Sequence, residues 1–215
     1  MEINRIYNED CLEGIKQIAS ASIDAIITDP PYFVGMTYNG KKGDYNDLII
    51  MKPFFDSLFC EFARVIKENG KVYIFCDWRT YAFYYPLLLK HINVRNMLVW
   101  DKTNGPGSSY AFTHELILFA SKGVPCMKGS NIFRLPGFAG GAKKTNGEMV
   151  HPTQKPVEVI EKLITDSTQE GDLVLDCFMG SDTTAVASKK LNRNFIGFEI
   201  QEKYIAISES RLKQV

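Results

Sequence analysis

Several things are scarce or missing in this 215-residue sequence, and each absence narrows the field. No apolar run comes near the roughly 20 residues that a membrane span needs. There is no C-x-x-C pair. Cys11, Cys60, Cys76, Cys126 and Cys177 are odd in number and scattered, which argues against a disulfide framework or a zinc site and points to reduced thiols. There is no excess of either charge: 25 basic residues balance 25 acidic ones, so the whole surface is not built to attract a polyanion. The opening stretch MEINRIYNEDCLEGI has no basic segment leading into an apolar one, so no secretory signal is read and a cytoplasmic location is expected. No internal repeat is visible. A chain 45% hydrophobic and 23% charged is neither disordered, collagenous nor a coiled coil, and it can fill the core of a single domain over 1–215.

What is present alternates between two periods. Strands are predicted at 3–7 (INRIY), 24–28 (DAIIT), 71–76 (KVYIFC), 94–100 (VRNMLVW), 114–120 (HELILFA), 172–176 (DLVLD) and 194–200 (NFIGFEI). Helices are predicted at about 11–19, 52–67, 79–90, from Pro156, from about Asp182, and over 202–213. Asn69-Gly70 is read as the stop of the second helix, and Pro86 weakens the third. Seven strands interleaved with helices predict a Rossmann-like α/β sheet, mostly parallel and covered on both faces. The pair 94–100 and 114–120 has no helix between its members and is read as an antiparallel excursion. From 121 to 150 periodicity is lost, and a long basic, glycine-rich loop is expected.

Three segments carry chemistry. Asp29-Pro30-Pro31-Tyr32 follows an apolar strand directly, at the strand end where open α/β sheets place ligands. Two prolines stiffen the backbone and leave it rich in acceptors. The Asp29 carboxylate and the Pro30 carbonyl can accept two N–H bonds from an exocyclic amino group while Tyr32 stacks on its ring. A plain rigid turn with a surface tyrosine is the other reading. Asp176-Cys177-Phe178-Met179-Gly180-Ser181 lies between a strand and a helix, where a glycine turn and a helix N-terminus suit a nucleoside. It lacks G-K-[ST] and full G-x-G-x-x-G spacing, which argues against a phosphate cradle and a dinucleotide. Glu199, 19 positions beyond Gly180, ends the next strand and can take both ribose hydroxyls. A structural turn remains equally open there. In His151-Pro152-Thr153-Gln154-Lys155-Pro156, donors gather at a helix start, either to hold a carboxylate or as a cap with a solvated lysine.

Together these segments resemble the amino-group DNA methyltransferases that use S-adenosylmethionine, in particular the permuted β class of adenine-N6 type. The similarity covers nearly the whole chain, with D-P-P-Y before the F-x-G loop. By resemblance, Asn8-Glu9-Asp10-Cys11-Leu12 supplies the adenine contact through Asp10, with Cys11 beside it. H-P-T-Q-K-P, through Thr153 and Lys155, binds the methionine end. Asp29, Asp176, Phe178, Gly180, Ser181, Thr183 and Glu199 complete the cofactor set, and Asp29, Pro30 and Tyr32 are catalytic. The family motif runs F-x-G-S-G-T-T, and Asp182 replaces its second glycine. As a first-turn residue it complements the helix dipole. Facing the cofactor it repels the methionine carboxylate, so Asp182→Gly is expected to tighten cofactor binding. The permuted order predicts that the last helix returns the chain to the strand at 3–7.

The resemblance implies site-specific methylation of adenine N6 in double-stranded DNA by base flipping, without a metal, within restriction-modification. N4-cytosine methylation and a catalytically weak DNA-binding subunit are the alternatives. Between Leu116 and Gly147 five basic residues (Lys122, Lys128, Arg134, Lys143, Lys144) meet no acidic one, and this loop is expected to face DNA. Lys41 and Lys42, in the loop after the catalytic tetrapeptide, are expected to do the same. His91, His114 and Trp100 are read as packing residues. So small a chain leaves little room for target recognition, which makes a homodimer or a restriction-modification partner an expectation. No membrane contact is expected.

Overall fold

The computed structural model of the protein describes residues 1–32, 37–38, 41–42, 45–105, 109–124, 129–137, 144–145, 148–149, 155–180 and 182–213. In chain order the elements are β1 (Arg5–Tyr7), α1 (Cys11–Gly14), β2 (Ile23–Thr28), β3 (Thr37–Tyr38), β4 (Lys41–Lys42), α2 (Tyr45–Ile50), α3 (Lys52–Val65) and β5 (Ile66–Cys76). There follow α4 (Trp78–Leu88), β6 (Asn93–Asp101), β7 (His114–Ser121), β8 (Ile132–Arg134), β9 (Lys144–Thr145), β10 (Glu148–Met149), α5 (Val157–Ser167), β11 (Leu173–Asp176), α6 (Thr183–Lys190), β12 (Asn194–Phe198) and α7 (Glu202–Leu212).

Eight strands form one sheet in the order β1-β12-β11-β2-β5-β7-β6-β8. Every described ladder in it is parallel except those of β7, which runs against both β5 and β6. The antiparallel excursion is therefore as predicted, while the sheet has eight strands rather than seven. The extra one, β8, lies inside the segment expected to be all loop and pairs with Val99–Asp101 of β6. Three residues are too few to show a period.

Side chains alternate across the sheet with period two. Val72, Ile74 and Cys76 of β5 and Leu116 and Leu118 of β7 face one core with Phe55, Phe59, Phe62 and Tyr84 from α3 and α4. Tyr73, Phe75, Ile117 and Phe119 face the other with Val159, Ile160, Leu163 and Ile164 from α5. Helix α3 buries Phe55, Leu58, Phe59, Phe62 and Val65, the three- and four-residue spacing legible in its sequence. It ends before the predicted 67: Ile66 is already extended and pairs with Ile23. Asn69, at φ 65°, sits in a bulge of β5 instead of stopping the helix. Helix α4 begins at a capping box between Asp77 and Thr80 and carries Pro86 within it.

The chain's two ends meet. β1 pairs with β12, Arg5 opposite Ile196 and Tyr7 opposite Phe198, and Leu212 packs near Ile6. β11 and β2 are neighbours from which the chain departs in opposite directions, toward β12 and toward β5. That is a topological switch point, where a crevice opens beyond the strand carboxyl ends.

Candidate active site

A cleft of about 390 Å³ occupies that crevice, within the usual range for small-molecule sites. Asp10, Cys11, Asp29, Lys155, Asp176, Phe178, Gly180, Thr183 and Glu199 all line it. Every described residue expected to bind the cofactor is thus in one place. Thr153 and Ser181 lie outside the described residues, as do Lys128 and Lys143.

On the cofactor side the carboxylates hold the loops. Asp176 ends β11, and its Oδ1 accepts from Thr28 Oγ1 at 2.8 Å and the Phe178 amide at 3.0 Å, its Oδ2 from Thr184 Oγ1 at 2.6 Å. Burial pushes its carboxyl up to about 6 against the pull of those donors. Glu199 follows β12 and accepts from the amides of Gly180 at 3.0 Å and Gln201 at 2.8 Å. Burial raises this carboxyl too, opposed by the same amides. Asp10 caps α1 by accepting from the Leu12 amide at 2.8 Å. Gly197 allows the glycine loop to settle on β12, because a Cβ there would lie 2.2 Å from Met179 Cε.

Asp182 departs from expectation. It is the N-cap of α6 rather than part of its first turn, in the left-handed region at φ 70°. That backbone is why a glycine serves at this position. The side chain is fully buried and turns to Arg211 of α7, and Asp182 is not among the residues lining the cleft. It does not face the cofactor, so the expected repulsion has no geometric basis. Burial pushes its carboxyl up to about 7, with Arg211 pulling the other way.

The base side is ionic. Lys155, 9% exposed in its side chain, sits 2.7 Å from Asp29 Oδ2 and 3.1 Å from Glu115 Oε2. Its ammonium is 5.4 Å from the Tyr32 ring centroid and 5.2 Å from that of Phe75. Tyr32 donates its hydroxyl to Glu115 Oε2 at 3.1 Å, and Lys102 lies 3.3 Å from Glu115 Oε1. Asp29 Oδ1 is buried and has no hydrogen-bond partner among the described residues. Burial raises the Asp29 carboxyl while Lys155 lowers it. For Glu115 burial is outweighed by Lys155 and Lys102, and its carboxyl lies below its ordinary value. Burial disfavours the Lys155 ammonium, but the two carboxylates outweigh it and raise its pKa. The lysine expected to hold the cofactor's methionine end is therefore bound to Asp29, the aspartate expected to be catalytic. Glu115 was not anticipated. Its signal was available: an antiparallel strand starts at the end of the sheet where its neighbours finish, so the acid opening HELILFA had to fall beside D-P-P-Y.

The basic residues divide. Arg134 ends β8 at the catalytic edge, 74% exposed in its side chain and 2.8 Å from Asp101. Lys122 follows β7 at the opposite edge, beyond the Lys71–Ser121 pair, and donates to the Ala63 carbonyl at 3.2 Å. It is not beside the cleft, because the antiparallel strand carries it away. Lys41, Lys42 and Lys144 belong to the short strands β4 and β9, and their side chains are outside the described set. Trp100 packs as expected, 2% exposed, with its indole N–H on the Leu135 carbonyl at 2.8 Å. His91 lies 3.1 Å from Asp56, and His114 is exposed rather than packed. Among the described residues no helix is long and apolar enough to cross a membrane, and no cluster of His, Cys, Asp or Glu could hold a metal ion.

A cleft at a switch point, with a buried carboxylate beside it, is the arrangement of an α/β enzyme that binds a nucleoside-type ligand. The family profile described as DNA methylase, N6_N4_Mtase, matches residues 23–126 and 127–210, and the chain belongs to that family. It is 30% identical over 248 residues to Type II methyltransferase M.HinfI of Haemophilus influenzae, covering 99% of this chain and 69% of that one. The solved M1.HpyAVI–SAM complex is 29% identical with a TM-score of 0.72, over 97% of this chain and 98% of that chain. The PvuII cytosine-N4-specific DNA methyltransferase shares the fold at a TM-score of 0.79 and 18% identity, over 96% and 85%. The cofactor of the family is S-adenosylmethionine, and this cleft fits it: acids stand where adenine and ribose would be met, and glycine allows close backbone approach.

Proposed function

We propose that the protein is a permuted, β-class methyltransferase that modifies the N6 amino group of adenine in duplex DNA. The observation that carries this reading is the division of labour within Asp29. Lys155 holds Oδ2, which leaves Oδ1 buried, without a partner among the described residues and beside the cofactor cleft. An unsatisfied buried acceptor is costly unless a ligand uses it. An exocyclic amino group supplies the missing donor.

The cofactor brings an electrophilic methyl group on a sulfonium sulfur. The target nitrogen's lone pair is delocalised into the purine, and the base must leave the duplex to reach the pocket. Asp29 Oδ1 and the Pro30 carbonyl accept the two amino hydrogens and favour sp³ character at nitrogen. Tyr32 stacks on the ring, worth on the order of 1–3 kcal/mol. Holding nitrogen, methyl carbon and sulfur in line supplies much of the remainder. On the cofactor side Asp10 meets the adenine edge, Glu199 the ribose hydroxyls and Thr153 the methionine end, while Asp176 fixes the loop carrying Phe178 and Gly180. Arg134 stands at the edge that duplex DNA approaches.

The aspartate of D-P-P-Y supports adenine, since the cytosine-N4 tetrapeptide more often begins with serine. Nucleoside analysis of DNA methylated in vitro tests this. N6-methyladenine is the expected product, N4-methylcytosine transfers the reading to the other base, and cofactor binding without any product leaves a DNA-binding subunit.

A further inference from the structure

We propose that Glu115 is a positioning residue of the base pocket, acting on the target base through Tyr32 and Lys155. The proposal rests on the amino-methyltransferase reading above. Glu115 opens β7, the antiparallel strand, which brings its carboxylate to the catalytic end of the sheet. There it is the hub of the cluster. One oxygen, Oε2, takes both the Tyr32 hydroxyl and the Lys155 ammonium, at 3.1 Å each, and the other faces Lys102 at 3.3 Å.

Two consequences follow from that geometry. A phenol held by an ionised acceptor has the far end of its ring anchored, and charge-assisted bonds are about twice as strong as neutral ones. The ring offered for stacking is therefore set before the base arrives. Glu115 also shares the Lys155 charge with Asp29. The groups facing Asp29 are Lys155, Glu115 and Tyr32, with Asp176 from β11 and Cys76 from β5 nearby. Glu115 faces Lys155, Lys102 and Tyr32. Neutralising Glu115 gives Asp29 the undivided lysine and makes it more acidic. Neutralising Lys102 makes the neighbourhood more negative and Asp29 less acidic.

The test is single-turnover transfer of labelled methyl from S-adenosylmethionine to DNA, counted on any base, across pH, for the parent, Glu115→Gln and Lys102→Gln. Glu115→Gln keeps the shape of the side chain and is expected to slow transfer by roughly 10–100-fold, the scale of a misplaced reactant. Cofactor affinity by calorimetry should stay at the parent value. The acid limb of the rate profile should move to lower pH in Glu115→Gln and to higher pH in Lys102→Gln. A merely structural role would not shift the limb in opposite senses. Parent rates and parent limbs in both variants, or shifts of the same sign, overturn the proposal. Lys102 is partly exposed, so that variant decides the matter if Glu115→Gln fails to fold. A parent protein that transfers no methyl to DNA overturns the functional reading instead, which separates the two failures.

Discussion

The two sides of the cleft hold their carboxylates in different ways. On the cofactor side Asp10, Asp176 and Glu199 are bonded by uncharged partners, backbone amides and the hydroxyls of Thr28 and Thr184. On the D-P-P-Y side Asp29 and Glu115 are bonded by cations, Lys155 and Lys102. Neutral donors fix the shape of a loop with little regard to charge. Cations favour the ionised form as well, and at Asp29 Lys155 opposes a burial that still holds the carboxyl above its ordinary value. The cofactor side is thus held by neutral donors and the D-P-P-Y side by charge.

Variants can break that contrast. Asp29→Ala should have the largest effect, a loss of methyl transfer on the order of 10³-fold, comparable to removing an electrostatic anchor in a closed site. Cofactor binding by calorimetry should persist, and near-normal turnover would dissolve the distinction between the sides. Lys155→Met strands two buried carboxylates and should cost about 3–5 kcal/mol of stability in chemical denaturation. Its surviving activity should need higher pH, because Asp29 loses the cation that lowers it. A variant as stable as the parent would mean the cluster is not buried in solution.

Asp182→Gly relieves a left-handed backbone but leaves Arg211 without its carboxylate. The relief is worth about 1–2 kcal/mol and the lost buried bond somewhat more, so a net loss of about 1 kcal/mol is expected. Cofactor affinity should be unchanged, and tighter binding would return Asp182 to the cleft. The folded carboxyls of Asp182 and Asp176, at about 7 and about 6, lie above their ordinary value of 3.8. Between those limits the folded protein holds more protons than the unfolded one, so their contribution to stability grows as pH falls from about 7 toward 3.8 and is lost as it rises. Asp182→Asn, which tolerates the same backbone, should flatten the upper part of that trend in thermal melts. The smallest effect separates the basic residues. Arg134→Ala should make the slope of log affinity for DNA against log salt shallower by about 0.9, while Lys122→Ala should leave it alone.

What could be read in the sequence was local. D-P-P-Y and D-C-F-M-G are contiguous, and each sits on a strand end, so chemistry and position were legible together. The helical period of α3 and the unbroken apolar run of β5 made a helix packed on a buried strand legible. Contacts between distant segments were not legible. Glu115 meets Tyr32 across 83 positions, and Lys155 meets Asp29 across 126. The orientation of Asp182 depends on its backbone sign and on an arginine 29 positions later. Ile66 left its helix early because a parallel neighbour, Ile23, offered a ladder that propensity does not know about.

The pairing of β1 with β12 has a consequence for synthesis. The ribosome completes β2 and the D-P-P-Y segment long before β11 and β12 emerge, and among the described residues β1 pairs with β12 and with no other strand. Until residues 194–198 are made, the first strand has nothing to bind and the glycine loop has no floor. A nascent chain that stops short of β12 therefore carries D-P-P-Y without a place to bind the methyl donor, and competence to mark the genome waits for residues 194–198.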